Sequence, residues 1–159
     1  MTLPHQRMLP LAELRRLIGQ HVGTSKWFTL DQPLIDDFAR ITQDDQFIHT
    51  DPARAADSPF GTTIAHGFLT LSYLAPMAYD AVPLADGTVM GVNYGFDKVR
   101  FLTPVPSGAR IRGHFTLETL DEQAQEITSH HSVSVEIEGG DRPALIAAWI
   151  SRSYFAPDT

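Results

Sequence analysis

Apolar residues recur along this chain with two different periods, and the change between them, near Val82–Asp86, separates a helical half from a stranded half. Leu11, Leu14, Leu17 and Ile18 stand at helical spacing and predict a short amphipathic helix over about residues 9–19. Ser25–Leu30 reads as a strand. Asp31 then caps a second helix, with Pro33 in its first turn, Leu34, Ile35, Phe38, Ala39 and Thr42 along its length, and Asp36 and Asp37 on its polar side. Asp51-Pro52 opens another short helix through Ala56, which Ser58-Pro59-Phe60-Gly61 ends.

The stretch from Ile64 to Tyr79 is apolar on nearly every side, which predicts a central helix over about 64–79 enclosed by other protein. The second half supplies the enclosure. Thr88–Leu102, Ala109–Leu120, Gln125–Ile137 and Ala144–Phe155 are rich in β-branched and aromatic residues, and Val133, Val135 and Ile137 alternate with Ser134 and Glu136. Turns at Pro104–Gly108, Asp121-Glu122 and Gly139–Asp141 predict an antiparallel meander of these four strands. The class is α+β: one domain over 1–159, a sheet around one long helix, with the first helix as an N-terminal extension.

At 159 residues and 43% hydrophobic content the chain suits a single core. A domain this size buries roughly 68–70% of the surface its unfolded chain exposes, enough to need no covalent staples. The absence of cysteine excludes a disulfide framework, a thiol nucleophile and any cysteine-ligated metal. A net charge of -7 disfavours nucleic acid as a partner and requires a local basic cluster for any anionic ligand. Ile64–Tyr79, interrupted by His66, Thr70 and Ser72, is shorter than the roughly 20 residues a membrane span needs. Met1–His21 lacks the apolar centre of a secretory signal, so no membrane partner and a cytoplasmic location are expected.

Asp44 and His49 follow the predicted second helix on what reads as a loop. A carboxylate and an imidazole there can converge on one water, the imidazole exchanging protons near neutral pH while the carboxylate orients the pair. The spacing alone is weak, since on the order of 0.5 such pairs arise by chance in this composition. Asp44 could equally satisfy nearby backbone N–H groups, and His49 fill a polar niche. In Gly61-Thr-Thr-Ile-Ala-His-Gly67, Gly67 permits close approach to the backbone at the start of a buried helix, where an N–H can meet developing negative charge; close helix–sheet packing explains it as well. His66 reads either as a second catalytic group or as a bond to backbone where the helix enters the core. Lys98, Arg100, Arg110 and Arg112, with Arg54 elsewhere, are the candidate phosphate ligands, although strand faces commonly carry such charge. His130-His131 point to opposite faces of a strand, and no metal-ligand spacing occurs, so no metal site is expected.

Taken together, Asp44-Asp-Gln-Phe-Ile-His49-Thr-Asp-Pro52, Ile64-Ala-His-Gly67-Phe-Leu-Thr-Leu-Ser72 and Asn93-Tyr-Gly-Phe-Asp-Lys-Val-Arg-Phe-Leu-Thr-Pro-Val-Pro106 resemble the MaoC-like dehydratases, the (R)-specific enoyl-CoA hydratases of hot-dog fold, and especially their NodN-like branch. The similarity runs from about Trp27 to Phe155. It implies a single hot-dog unit, reversible hydration of trans-2-enoyl-CoA to (R)-3-hydroxyacyl-CoA, Asp44 and His49 as the water-activating pair, and the Gly67 N–H on the thioester carbonyl. Gln46 and His66 join Gly67 in the implied substrate-binding set, and Arg54, Lys98 and Arg100 are the expected CoA phosphate ligands. No cofactor beyond the CoA thioester and a homodimer are implied. The commonest family pattern has Gly before the Asp and Asn-Pro-Leu before the His, where this chain has Gln43, Gln46 and Phe47. The competing classes are a hot-dog thioesterase, disfavoured because no acid lies between Ile64 and Tyr79, and a non-catalytic acyl-CoA-binding subunit, disfavoured by the presence of both Asp44 and His49.

Overall fold

The computed structural model describes residues 4, 5 and 7–156. Strand β1 (Met8–Leu9) leads into helix α1 (Leu11–Arg16), β2 (Gln20–Thr24) and β3 (Phe28–Thr29). Helices α2 (Gln32–Thr42), α3 (Phe47–Thr50), α4 (Pro52–Ala56), α5 (Gly67–Ser72) and α6 (Leu74–Ala81) follow. The remainder is β4 (Leu84–Ala85), β5 (Thr88–Phe101), β6 (Arg110–Glu122), β7 (Glu126–Ile137) and β8 (Leu145–Phe155). The main sheet runs β2-β6-β7-β8-β5 with β3 also beside β6, every pair antiparallel, while β1 and β4 form a separate parallel pair.

Two predicted caps form as expected. The Asp31 carboxylate accepts from the Leu34 N–H at 3.1 Å and that of Asp51 from the Arg54 N–H at 3.1 Å, each fixing the start of a helix whose next turn contains proline. The N-terminal strand lies elsewhere: Ser25–Leu30 was the expected ladder, but pairing runs over Gln20–Thr24 and Phe28–Thr29, and Ser25 turns the chain between them by bonding Gly113 in both directions. The extension helix is correspondingly short.

The expected four-strand meander holds only for β6, β7 and β8. Strand β5 pairs with β8 at the far edge and not with β6. Alternation dictates which face of a strand is buried, not which strand lies beside it. Here residues 102–109 cross the end of the sheet, held by Leu102 and Thr103 N–H groups on the Ala144 carbonyl at one side and by the Gly108 N–H on the Leu30 carbonyl at the other. Asp121 and Glu122, expected in a turn, stay in the ladder opposite Thr128 and Ile127, and Arg15 clasps the Glu122 carboxylate with two bonds of 2.7 and 2.6 Å.

The single helix expected over 64–79 is two helices that begin later. Ile64 bridges Pro106 and the Ala65 N–H bonds the Val105 carbonyl, so this segment is extended and helix starts only at Gly67. Pro76 has no N–H for the Ser72 carbonyl, and the helix breaks at Tyr73. Leu74, Met77, Ala78 and Ala81 are buried in one core with Ile111, Phe115, Leu117, Val135 and Leu145 of the sheet. Each large side chain there contributes roughly 1.5–3 kcal/mol.

Close approach of α6 to the sheet depends on a bare backbone at Gly23, where an added Cβ would lie 2.2 Å from the Ala81 carbonyl oxygen. Gly23→Ala is expected to lower stability by at least about 2 kcal/mol, read as a shifted urea midpoint, because backbone and not a flexible side chain must move. An unchanged midpoint would show that the helix does not rest on β2 in this way.

Candidate active site

Helix α2 ends at Gln43, whose φ of 60° and ψ of 28° make it the one non-glycine residue at positive φ among the described residues. This left-handed turn, where the commonest family pattern has glycine, stops the helix and sends the half-buried Asp44 back toward α5. His49 lies in the short helix α3 and not on a loop as expected; it is buried, 7% exposed.

Three hydrogen bonds assemble the site. The His49 Nδ1–H donates to the Ile64 carbonyl at 2.7 Å, and the Ile64 N–H donates to the Ile48 carbonyl at 2.9 Å, so α3 and the segment before α5 are stitched edge to edge. A carbonyl can only accept, which places the proton of neutral His49 on Nδ1 and leaves a lone pair on Nε2. His66, buried at the N-cap of α5, donates from Nε2 to the Asp44 backbone carbonyl at 2.8 Å. Its ring stacks on His49 with centroids 3.8 Å apart and packs against Phe38. Nitrogen and carboxylate atoms of Asp44, His49 and His66 thereby lie within 4.8 Å of one another. A water making two ordinary hydrogen bonds spans roughly 4.6 Å between its partners, so the Asp44–His49 separation suits one shared water. Burial pushes the His49 imidazole below its ordinary 6.5; the bond to Ile64 opposes this, neighbouring His66 adds to it, and Asp44 opposes it.

Beside these groups a cleft of about 310 Å³ opens between the start of α5 and the Phe101–Val105 segment, bordered by His49, Gly67, Thr70, Phe101, Val105 and Ala144. Gly67 is the first residue of α5, where N–H groups have no intrahelical acceptor, and no side chain caps that end. The Phe101 ring packs closely over it, 3.0 Å from where a Cβ would stand.

The chain from residue 13 to 138 matches the model of the MaoC-like domain. This chain belongs to the MaoC-like dehydratase family. It is 48% identical over 151 residues to "Nodulation protein N" of Rhizobium meliloti, covering 94% of each chain. To "3-hydroxyacyl-thioester dehydratase Z" of Mycobacterium tuberculosis it is 42% identical over 143 residues, covering 89% of this chain and 94% of that one. Its fold matches that of the (R)-hydratase from A. caviae with a TM-score of 0.69 at 22% identity, over 84% of this chain and 94% of the other, which establishes the hot-dog architecture.

Other expected site residues of this MaoC-like chain are dispersed. Gln46 is exposed and serves as N-cap of α3 through its backbone, without a side-chain capping bond. Arg54 lies on α4 with its guanidinium over the Phe47 ring at 4.3 Å, close in sequence and space to α3. Lys98 and Arg100 are exposed on β5 opposite Ala148 and Ile146, on the sheet face that points away from the helices, so they do not gather with Arg54. Arg110 and Arg112 are ion-paired with Glu138 and Glu136.

Asp44, His49 and His66 are close enough for a metal to be considered. Stacked rings, however, aim their lone pairs side by side and not at one point, and His49 Nδ1 and His66 Nε2 are both engaged by carbonyls. Two supporting residues escaped the sequence reading. The Gln32 amide donates to the His49 carbonyl at 2.7 Å and accepts from the Thr63 hydroxyl at 2.5 Å, tying α2, α3 and the chain before α5 together. Neither residue has a sequence signal, since a glutamine at a helix start and a threonine before an apolar run are ordinary.

Histidine-selective NMR titration should give His49 a midpoint below 6.5 with the proton on Nδ1 in the neutral form. Because burial holds the folded-state value below that of the unfolded chain, His49 should cost stability as pH falls through 6.5 toward the folded value. A midpoint at or above 6.5 would contradict the buried, carbonyl-anchored imidazole.

Proposed function

We propose that the chain is a hydro-lyase that hydrates trans-2-enoyl-CoA to (R)-3-hydroxyacyl-CoA, reversibly, in the cytoplasm. The observation that carries this reading is the meeting of a carboxylate oxygen of Asp44 and a ring nitrogen of His49 within 4.8 Å, beside a cleft that also exposes the start of α5 at Gly67. The dehydratase named among its relatives supports the same reaction class.

In the proposed reaction a water held by Asp44 and His49 gives its oxygen to C3 of the enoyl group and a proton to the pair. The electrons of the C2=C3 bond move toward the thioester oxygen, where the Gly67 N–H stabilises the enolate charge, and C2 then takes a proton from the pair. Water and the substrate account for every atom, so the reaction calls for no metal or redox cofactor. The two groups share one water and titrate as a coupled pair. Arg54, on the helix that follows His49, is the proposed contact for a CoA phosphate.

We also propose a homodimer joined through β5. That strand ends the sheet with an unpaired edge and exposes Val89, Met90, Val92, Tyr94 and Phe96, an apolar edge of the kind that pairs with a second copy. Sedimentation should give a dimer for the native chain and a monomer for Tyr94→Lys with Val92→Lys; a native monomer would exclude it.

Crotonyl-CoA should lose its enoyl absorbance with the protein present, without release of free thiol. Asp44→Asn and His49→Ala should each lower kcat by at least about 10²-fold in a folded protein. Gly67→Pro should lower it by about 10²–10³-fold by removing the N–H, while Gly67→Ala, which presses Phe101 equally but keeps the N–H, should stay within about tenfold of native. Thiol release at a comparable rate, or native rates in both Asp44→Asn and His49→Ala, would sink the reading.

A further inference from the structure

A chain of hydrogen-bonded side chains crosses β2, β6 and β7 on the face of the sheet opposite the buried Ile111, Phe115 and Leu117. One oxygen of Glu136 accepts from Arg112 Nε at 2.7 Å and lies 2.7 Å from His114 Nε2. His114 Nδ1 is 3.0 Å from the Thr24 hydroxyl, which is itself 3.0 Å from His21 Nε2. None of these residues borders the cleft at Gly67.

A bulge makes the arrangement possible. Residues three apart on a regular strand point to opposite faces, but the register of β2 shifts between His21 and Gly23, so that His21 opposite Thr116 and Thr24 opposite His114 share one face. Glu136 reaches His114 diagonally, since His114 stands opposite Ser134 and Glu136 opposite Arg112.

With both imidazoles neutral, one proton arrangement satisfies the whole chain. The bond from Arg112, with His114 adding to it against partial burial, holds the Glu136 carboxyl below its ordinary 4.5, so at neutral pH it can only accept. His114 therefore carries its proton on Nε2 and a lone pair on Nδ1. Thr24 donates its hydroxyl proton to that lone pair, and His21 donates from Nε2 to the Thr24 oxygen.

A hydroxyl on an imidazole whose other nitrogen is held by a carboxylate has the connectivity of an activated nucleophile. The familiar triads place the hydroxyl on Nε2 and the acid on Nδ1; exchanging the two nitrogens leaves the relay intact. Thr24 is exposed, and a cleft of about 300 Å³ extends from His114 along Thr116, Ser132, Ser134, Ile146 and Ala148, with hydrocarbon and hydroxyl surface for a short acyl group.

We propose that Thr24, His114 and Glu136 form a second catalytic site, which hydrolyses esters of short carboxylic acids through an acyl intermediate on Thr24. Thr24 Oγ1 bonds to the ester carbonyl carbon as its proton passes to His114 Nδ1, and the carbonyl electron pair moves onto oxygen within reach of the His21 N–H. Collapse of this species breaks the bond to the alcohol oxygen, which leaves with the proton from His114. Water then adds to the acyl carbon and gives a proton to His114; that proton returns to Thr24 as the carboxylic acid departs. Glu136 touches no reacting atom: it positions the ring and stabilises the imidazolium. The site shares no residue with the proposed hydratase chemistry, so either proposal can fail without the other.

The probe is p-nitrophenyl acetate. The native chain should release p-nitrophenol with saturable kinetics, and mass spectrometry of acid-quenched protein should find acetyl on the peptide that contains Thr24. Thr24→Val, which keeps the shape but loses the hydroxyl, and His114→Ala should each lower kcat/KM by at least about 10²-fold, whereas Thr24→Ser should stay within about tenfold of native. Glu136→Gln should lower kcat by at least about tenfold with KM within about twofold of native, the split expected of a group that acts through His114. The position of the acetyl group in the native chain keeps the test valid if Thr24→Val does not fold. Absence of saturable hydrolysis, a native rate in Thr24→Val or in His114→Ala, or acetylation that spares Thr24 would each overturn the proposal.

Discussion

The bond from His49 Nδ1 to the Ile64 carbonyl is the contact on which the site depends. It fixes the imidazole tautomer, leaving Nε2 to meet a water, and it joins two segments that neither local propensity nor the sheet would bring together. The return bond from the Ile64 N–H to the Ile48 carbonyl makes the join a pair, and the Ala65 N–H on Val105 ties the same segment to the loop that crosses the sheet. Residues 63–66 thus lie extended between α3 and residues 105–106, and helix cannot begin before Gly67. The same constraint that orients His49 therefore sets where the first free N–H of α5 stands.

Everything packed beneath serves to hold that segment still. The sheet buries α6 through Met77 and Leu74, and Gly23 and Gly113 let backbone and ring approach where a side chain would intrude. The break at Tyr73, where Pro76 leaves the Ser72 carbonyl without its helical partner, divides this layer into α5 and α6. His66 then links the last part of the clamp to Asp44, so the carboxylate and imidazole share a frame built from backbone carbonyls and one stacked ring.

The caps at Asp31 and Asp51, the buried central helix and the four long strands were legible in the sequence because each is local: a capping carboxylate before proline, an apolar stretch, an alternation of small and β-branched residues. The candidates Asp44, His49 and Gly67 were legible as motifs, and the structure brings them to one place. The position of β5 was not, because pairing partners are chosen by crossing connections such as 102–109. Nor was the start of α5, since the apolar Ile64 and Ala65 fit a helix as well as a clamp. Lys98 and Arg100 stand within the Asn93–Pro106 stretch that carries the resemblance but lie on the face of the sheet turned away from the helices, a distinction that depends on register and bulges. Gln32 and Thr63 act only through the carbonyl of His49 and each other, and nothing in their local sequence marks them.

The central claim is that Asp44 and His49 work as one unit on a shared water. A double-mutant cycle in kcat for crotonyl-CoA hydration tests it most directly, because groups that act together lose their effect together. The account predicts that Asp44→Asn combined with His49→Ala is no slower, within about tenfold, than the slower single variant. Losses that simply multiply would show two residues acting independently and would contradict it.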